Sequence, residues 1–413
     1  MNIEDLKPDA ERLLERLEQL AEIGRADNNA CCRLALTDDD RRGRDLVVGW
    51  MRELGLEVSV DRIGNVFGRR AGRNDDLAPV MTGSHIDTVR SGGVYDGNLG
   101  VLGGLEVVAT LNDAGVVTER PLVVAFFTNE EGARFAPDML GSLVYVGGLD
   151  LDEALATRAI DGAVLGEELE RIGYAGDAPI GLYRPHAFVE LHIEQGPVLD
   201  IEGITIGVVE NLQGISWQEI TITGQSNHAG TTPMRLRHDA GYAAGAIAAF
   251  ARELASEMDG NQVATVGSIN LVPNLINVIA SRAVLTCDLR NTDEDLLQHA
   301  EAELAAYLDA LTRDEGVDID TRRLARFEPV TFDAGVAARI AARADRLGYS
   351  HRPMTSGAGH DAQMMARICP TAMIFVPSVN GISHNPEEYT APEDIVAGAG
   401  VLLATLLDLC QQA

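Results

Sequence analysis

Lysine is nearly missing from this chain: Lys7 is the only one, and every other basic residue is arginine. With 33 Lys and Arg against 63 Asp and Glu, the formal net charge is −30. Such a chain lacks the basic face that phosphate groups require, which argues against nucleic acid or an anionic membrane as a partner. Genome base composition and life at high ionic strength both produce this bias. Cysteine is scarce as well. Cys31, Cys32, Cys287, Cys369 and Cys410 are odd in number, scattered and without CxxC spacing, which excludes a disulfide framework or zinc knuckle and leaves reduced thiols. No apolar run approaches the roughly 18 residues of a membrane span, and the first twenty residues are too charged for a signal peptide. The expectation is a soluble, cytoplasmic protein. A GxGxxG or GK[ST] phosphate loop is also absent, which argues against a nucleotide-binding α/β protein.

At 413 residues with 46% hydrophobic content, the chain exceeds the size of one ordinary core, so two domains are expected. Residues 8–24 and the stretch TDDDRRGRDLVVGWMRELG read as amphipathic helices, and LEVSVD and GNVFGRR as paired strands. Strand and helix then alternate through PVMTGS, LGVLGGLEVVATLNDAG and LVVAFF, which implies a largely parallel sheet. Near residue 211 the pattern changes to β-α-β-β-α-β, the order of a four-stranded antiparallel sheet with both helices on one face. After about residue 328 the alternation resumes. The expected fold is α/β: a mixed, largely parallel catalytic domain from residues 1–210 and 329–413, with an α+β, ferredoxin-like domain inserted at 211–328.

The stretch MTGSHIDTVRSGGVYDGN crowds His85, Asp87 and Asp96 around a glycine-rich turn at a strand end. Imidazole and carboxylate are the ligands that zinc, manganese or cobalt choose, and Asp96 is placed where a carboxylate could bridge two ions. The plainer alternative is a turn whose Asp and Gly residues only shape the backbone. Glu130 and Glu131 lie side by side just beyond the next strand and repel each other. Either one binds a cation while the other carries a proton, or both are solvated; ligands gather at the carboxyl ends of open α/β sheets, which favours the first. His192, at the end of HAFVELHIEQG, and His384, in the loop SVNGISHNPEEYT, are further ligand candidates that gain weight only as members of the set.

Taken in order, GSHIDT, GGVYDG, TNEEGARF, HIEQGP, SNHAGTTPM, DLRNTD, SGAGHDAQ and ISHNP resemble the amidohydrolase branch of the M20 metallopeptidases, which comprises N-carbamoyl-L-amino acid hydrolases, β-ureidopropionases and allantoate amidohydrolases. The matches run from about residue 35 to 400. The resemblance implies two divalent ions per subunit (zinc, manganese, cobalt or nickel), one held by His85, Asp96 and His192, the other by Asp96, Glu131 and His384. It implies Glu130 as general base and Asp87 as the carboxylate that orients His85. The insert would be a lid and dimerisation domain, making the protein a homodimer in which His228 reaches a neighbouring subunit's site. Arg290 would clamp the substrate's carboxylate, with Asn277 and Gln195 as hydrogen-bonding companions. His360 would position the amides of Gly357 and Gly359 near the substrate, or serve only as a helix cap.

The implied reaction is hydrolysis of an N-carbamoyl-L-amino acid to amino acid, ammonia and carbon dioxide, with a small ureido or carbamoyl compound as substrate. Allantoate-cleaving members of the branch carry an arginine in the first strand of the lid, where this chain has Trp217, which favours a carbamoyl amino acid. N-carbamoyl-β-alanine stays open. An N-acyl-amino acid deacylase or aminopeptidase would use the same metals, and a catalytically silent binding protein on this scaffold would be expected to lack Glu130 or a ligand.

Overall fold

The computed structural model describes residues 6–26, 30–258 and 261–412. The chain forms two compact units, one from Met1–Glu210 with Thr331–Ala413 and the other from Asn211–Val330.

The strands are β1 (Glu57–Val60), β2 (Val66–Arg70), β3 (Val80–His85), β4 (Leu122–Phe127), β5 (Ala187–Ile193), β6 (Ile206–Leu212), β7 (Gly214–Thr223), β8 (Val263–Val272), β9 (Arg282–Asn291), β10 (Asp318–Phe327), β11 (Val330–Thr331), β12 (His351–Ser356) and β13 (Thr371–Val376). The larger sheet runs β1-β2-β4-β3-β5-β13-β6-β11, with β12 beside β6. Its centre, β4-β3-β5-β13, is parallel throughout. All residues of these four strands are buried. Strands covered on both faces carry continuous apolar runs, as VVAFF and TAMIFV do here. The helices Asn98–Asp113 and Pro392–Cys410 pack on this sheet and on each other, and their glycines allow it: a Cβ on Gly100 would come 2.5 Å from the Leu191 carbonyl.

Parallel strands align their carboxyl ends, and here four such ends adjoin. His85 ends β3, His192 is the penultimate residue of β5, Glu130 and Glu131 follow β4 within four residues, and β13 leads into the loop bearing His384. Adjacency of strand ends, not of sequence, is what gathers these side chains.

The second unit has an antiparallel sheet, β10-β7-β9-β8. Alternate β9 residues Ala283, Leu285, Cys287 and Leu289 are buried in one cluster with Ala243, Ala244 and Ile247 of the helix Ala240–Glu257 and Leu297, Ala300 and Leu304 of the helix Glu294–Glu315. Period-two alternation puts Asp288 and Arg290 on the opposite face. The fold is mixed α/β with a largely parallel central sheet and a separate antiparallel α+β unit. Sequence patterning did not show β6, β11 or β12. β11 has only two residues, and β12 contains Pro353 and lacks an alternating buried face.

Candidate metal centre

His85 and His192 are almost fully buried, and each uses Nδ1 on a backbone carbonyl: Asp87 O at 2.9 Å and Ile193 O at 2.9 Å. A carbonyl only accepts, so Nδ1 carries the proton, and it is the Nε2 lone pair that either ring would offer a cation once that nitrogen is free of a proton. Both Nε2 atoms face one oxygen of Asp96, at 3.5 and 3.2 Å from Oδ1. The other oxygen, Oδ2, lies 3.3 Å from His384 Nε2, which in turn lies 3.2 Å from Glu131 Oε2. Two clusters of possible metal-ligating atoms therefore share Asp96: His85, Asp96 and His192, and Asp96, Glu131 and His384. A third, Glu190, His192 and His360, is already occupied by protein donors, since Glu190 accepts from Ser84 Oγ and the Ala362 amide.

The chemistry of this donor set fits divalent cations. His85 Nε2 and Glu131 Oε1 are buried and without a hydrogen-bond partner. Among the described residues, Asp96, Glu130 and Glu131 form ion pairs only with histidines. Burying a carboxylate without a compensating charge costs several kcal/mol, so a bound cation is the natural complement. Burial alone would raise the Asp96 pKa, yet the facing imidazoles of His192, His384 and His85 bring it well below the carboxylate range. The same pairing acts on the rings: hydrogen bonds with Asp96 and Glu131 push His384 up to about 10. Burial pushes Glu130 well above its ordinary value; His85, 3.3 Å away, opposes the shift, while Asp361, Glu131 and Asp96 add to it.

Asp87 does not orient His85 through its carboxylate. The bond to the ring comes from the Asp87 backbone carbonyl, and the side chain instead accepts from the amides of Glu130 and Glu131 at 3.3 and 3.4 Å. It thus fixes the turn that carries both glutamates. Gln195, with φ at 57°, donates its amide to Asp96 Oδ2 at 2.8 Å, leaving a buried, unpartnered Oε1. His360 makes no helix-capping bond with its side chain. Its ring lies 4.5 Å from that of His192, and its Nε2 meets Ser356 Oγ at 2.9 Å. Ser356 bonds Ala358, so the loop holding Gly357 and Gly359 is tied to His360.

Sequence reasoning missed Arg33. Its fully buried guanidinium donates to the carbonyls of Ile86, Leu20 and Ile23 and to Asn98 Oδ1, bracing the loop after His85 against the helix after Asp96. Gly97, in the GGVYDG motif, is required at its place: φ is 66° and a Cβ would come 2.4 Å from the His85 ring.

His228, Asn277 and Arg290 belong to the second unit. There, His228 Nδ1 accepts from the amides of Gly230 and Thr231 at 3.0 and 3.3 Å, and the Ala229 amide bonds Asn277 O. Arg290 grips Asp288, with Nη2 to Oδ2 at 2.8 Å, and its guanidinium lies 5.9 Å from the Trp217 ring centre.

Residues 81–408 match the family model Peptidase family M20/M25/M40. The chain belongs to this family. It is 42% identical over 408 residues to an N-carbamoyl-L-amino-acid amidohydrolase of Rhizobium meliloti, covering 99% of this chain and 98% of that one. It is 33% identical over 399 residues to an allantoate amidohydrolase of Bacillus subtilis, covering 96% and 97%. Among solved structures, an amidase of the hydantoinase/carbamoylase family from Burkholderia multivorans matches with a TM-score of 0.95 at 47% identity, over 98% of this chain and 99% of that one. The family is one of hydrolases, and the two relatives named above are amidohydrolases.

Proposed function

We propose that this protein is a two-cation amidohydrolase that cleaves the carbamoyl C–N bond of an N-carbamoyl-L-amino acid. The observation that carries this is the division of Asp96: one carboxylate oxygen faces His85 and His192, the other faces His384, and Glu130 stands beside them. His85, Asp96 and His192 would hold one ion, and Asp96, Glu131 and His384 the other; zinc, manganese, cobalt and nickel all accept this donor set. When bound, such ions acidify a water molecule and polarise a carbonyl.

The residues supply the rest. Glu130 takes a proton from the attacking water and delivers it to the leaving nitrogen, a role suited to a carboxyl whose pKa burial has raised. Asp87 keeps Glu130 and Glu131 in place through their amides. The amino acid departs with its own nitrogen, and the carbamate left behind breaks down to ammonia and carbon dioxide. Because His228 Nδ1 accepts two amides, its neutral ring keeps the proton on Nε2, ready to donate to the scissile carbonyl of a neighbouring subunit in the homodimer. Exposed Val263, Ile269 and Val272 on edge strand β8 support that dimer. Arg290, with its planar fork, would exchange Asp288 for the substrate's carboxylate, assisted by Asn277 and Gln195, while Gly357, Gly359 and His360 border the substrate. We read the protein as cytoplasmic; among the described residues no helix is long and apolar enough to cross a membrane. Trp217 beside Arg290 supports a carbamoyl amino acid over the more polar allantoate.

Ammonia release from N-carbamoyl-L-methionine, N-carbamoyl-β-alanine and allantoate, with N-acetyl-L-methionine followed as free methionine, tests this. Chelator-sensitive turnover of the first is expected. Turnover of allantoate alone would overturn the Trp217 argument, and turnover of the acetyl compound alone would make the protein a deacylase.

A further inference from the structure

Two segments far apart in the chain meet beside Asp96 through a residue that the reaction does not use. Glu388 is 6% exposed, and its carboxylate takes three donors. Oε1 accepts the backbone amides of Tyr95 and Asp96 at 3.1 and 3.2 Å, and Oε2 accepts Ser383 Oγ at 2.9 Å. Ser383 precedes His384, and its hydroxyl also lies 3.3 Å from Asp96 Oδ2. Gly93 makes room for this carboxylate, since a Cβ there would stand 2.2 Å from Glu388 Oε1. The rings of Tyr95 and Tyr389 add an edge-to-face contact, with centroids 6.3 Å apart, between the same two segments.

This contact matters because His384 has little else to hold it. The rings of His85 and His192 are fixed by backbone carbonyls and buried on strands. His384 sits in a loop at φ 53°, its side chain is 50% exposed, and among the described residues its ring forms ion pairs only with Asp96 and Glu131. Its place therefore depends on its own backbone, which Ser383 and Glu388 fasten to the turn carrying Asp96.

We propose that Glu388, acting with Ser383, is a positioning residue for the second cation: it clasps the His384 loop to Asp96 and so sets that ion's affinity. This rests on the two-cation reading above. Outer partners of metal ligands typically change affinity about 10- to 100-fold. Glu388→Ala removes the acceptor of both amides and of Ser383, whereas Glu388→Gln would keep the clasp because its NH2 can donate to the Ser383 hydroxyl; Ser383→Ala removes the same link from the other side.

Calorimetric titration of the metal-free full chain with Zn2+ tests the proposal, with circular dichroism and the thermal midpoint verifying that each variant folds. The wild type should bind two ions. Glu388→Ala and Ser383→Ala should both hold the first within about threefold and lose roughly 10- to 100-fold in affinity for the second, and the double variant should lose no more than Glu388→Ala alone. Amide exchange in the metal-free protein should quicken across residues 381–390 in both variants. Second-ion affinity within about threefold of wild type, equal weakening of both ions, or unchanged exchange in residues 381–390 would each overturn the clasp. Fewer than two ions in the wild type would instead overturn the two-cation reading, and the assignment of Glu388 to a second ion with it.

Discussion

The two halves of the centre are built differently although they share Asp96. The half with His85 and His192 lies on adjacent parallel strands, both imidazoles are buried, and each Nδ1 is anchored to a backbone carbonyl. The half with Glu131 and His384 draws on a turn and a half-exposed loop, and among the described residues the His384 ring forms ion pairs only with carboxylates. A pre-organised ligand set binds its ion at less cost than one that must be ordered on binding, so the first half should hold its cation more tightly. The second half is the more open one, where ion exchange and substrate entry would be read.

That contrast yields a graded series. The largest effect is expected at the shared residue: Asp96→Ala should remove both ions and abolish hydrolysis, checked by metal analysis after dialysis together with ammonia release. A variant that still holds one ion at full affinity would show that the two sites are not built on one carboxylate. His384→Ala should release one ion and spare the other, with second-ion affinity reduced at least about 100-fold by loss of a direct ligand. Equal loss of both ions would erase the difference between the halves.

Proton linkage tests His384 itself; burial opposes the shift at His85 and His192, but the neighbouring carboxylates hold those rings above the ordinary imidazole value too. His384 is pushed up to about 10 by Asp96 and Glu131, so in the metal-free protein it binds a proton throughout the neutral range, and a cation must displace it. Uptake of the second ion should therefore release close to one proton. Its apparent affinity should fall about tenfold per unit as pH drops below 10, since protonated His384 is the competing form. Calorimetry in buffers of different ionisation enthalpy reads this, and a pH-independent second affinity would count against His384 as ligand. The smallest effect concerns the other unit. His228→Gln should lower kcat by about 10- to 100-fold while leaving ion content unchanged, because its Nε2–H would serve the carbonyl and not the metals; an unaltered kcat would remove it from the reaction.

The sequence displayed the candidate ligands more clearly than the residues that hold them in place. His85 and His192 stand at the ends of strands whose apolar runs are plain, Glu130 and Glu131 just beyond another, and Asp96 and His384 in the motifs of the segments that follow two of these strands, while β9 announces itself by strict alternation from Arg282 to Asn291. β6 and β12 gave no such signal. The supports were hidden for a different reason. Glu388 meets Asp96 across 292 residues of chain, and Arg33 meets Asn98 across 65, so no local spacing marks either contact. Gly93 was the one visible trace, a glycine whose necessity becomes clear only once the Glu388 carboxylate is in place. Asp87 shows a related limit: the family resemblance implied a side-chain bond to His85, whereas the short span lets the backbone carbonyl reach the ring and leaves the carboxylate for the amides of Glu130 and Glu131.

The most direct test of the central claim compares wild type with Glu130→Gln in one experiment, measuring bound metal and ammonia release from N-carbamoyl-L-methionine on the same samples. The account predicts two ions in both proteins and a rate lower by at least about 100-fold in the variant, the scale of general acid–base catalysis. Undiminished ammonia release at full metal content would contradict it, because the proton would then travel by a route that does not include Glu130.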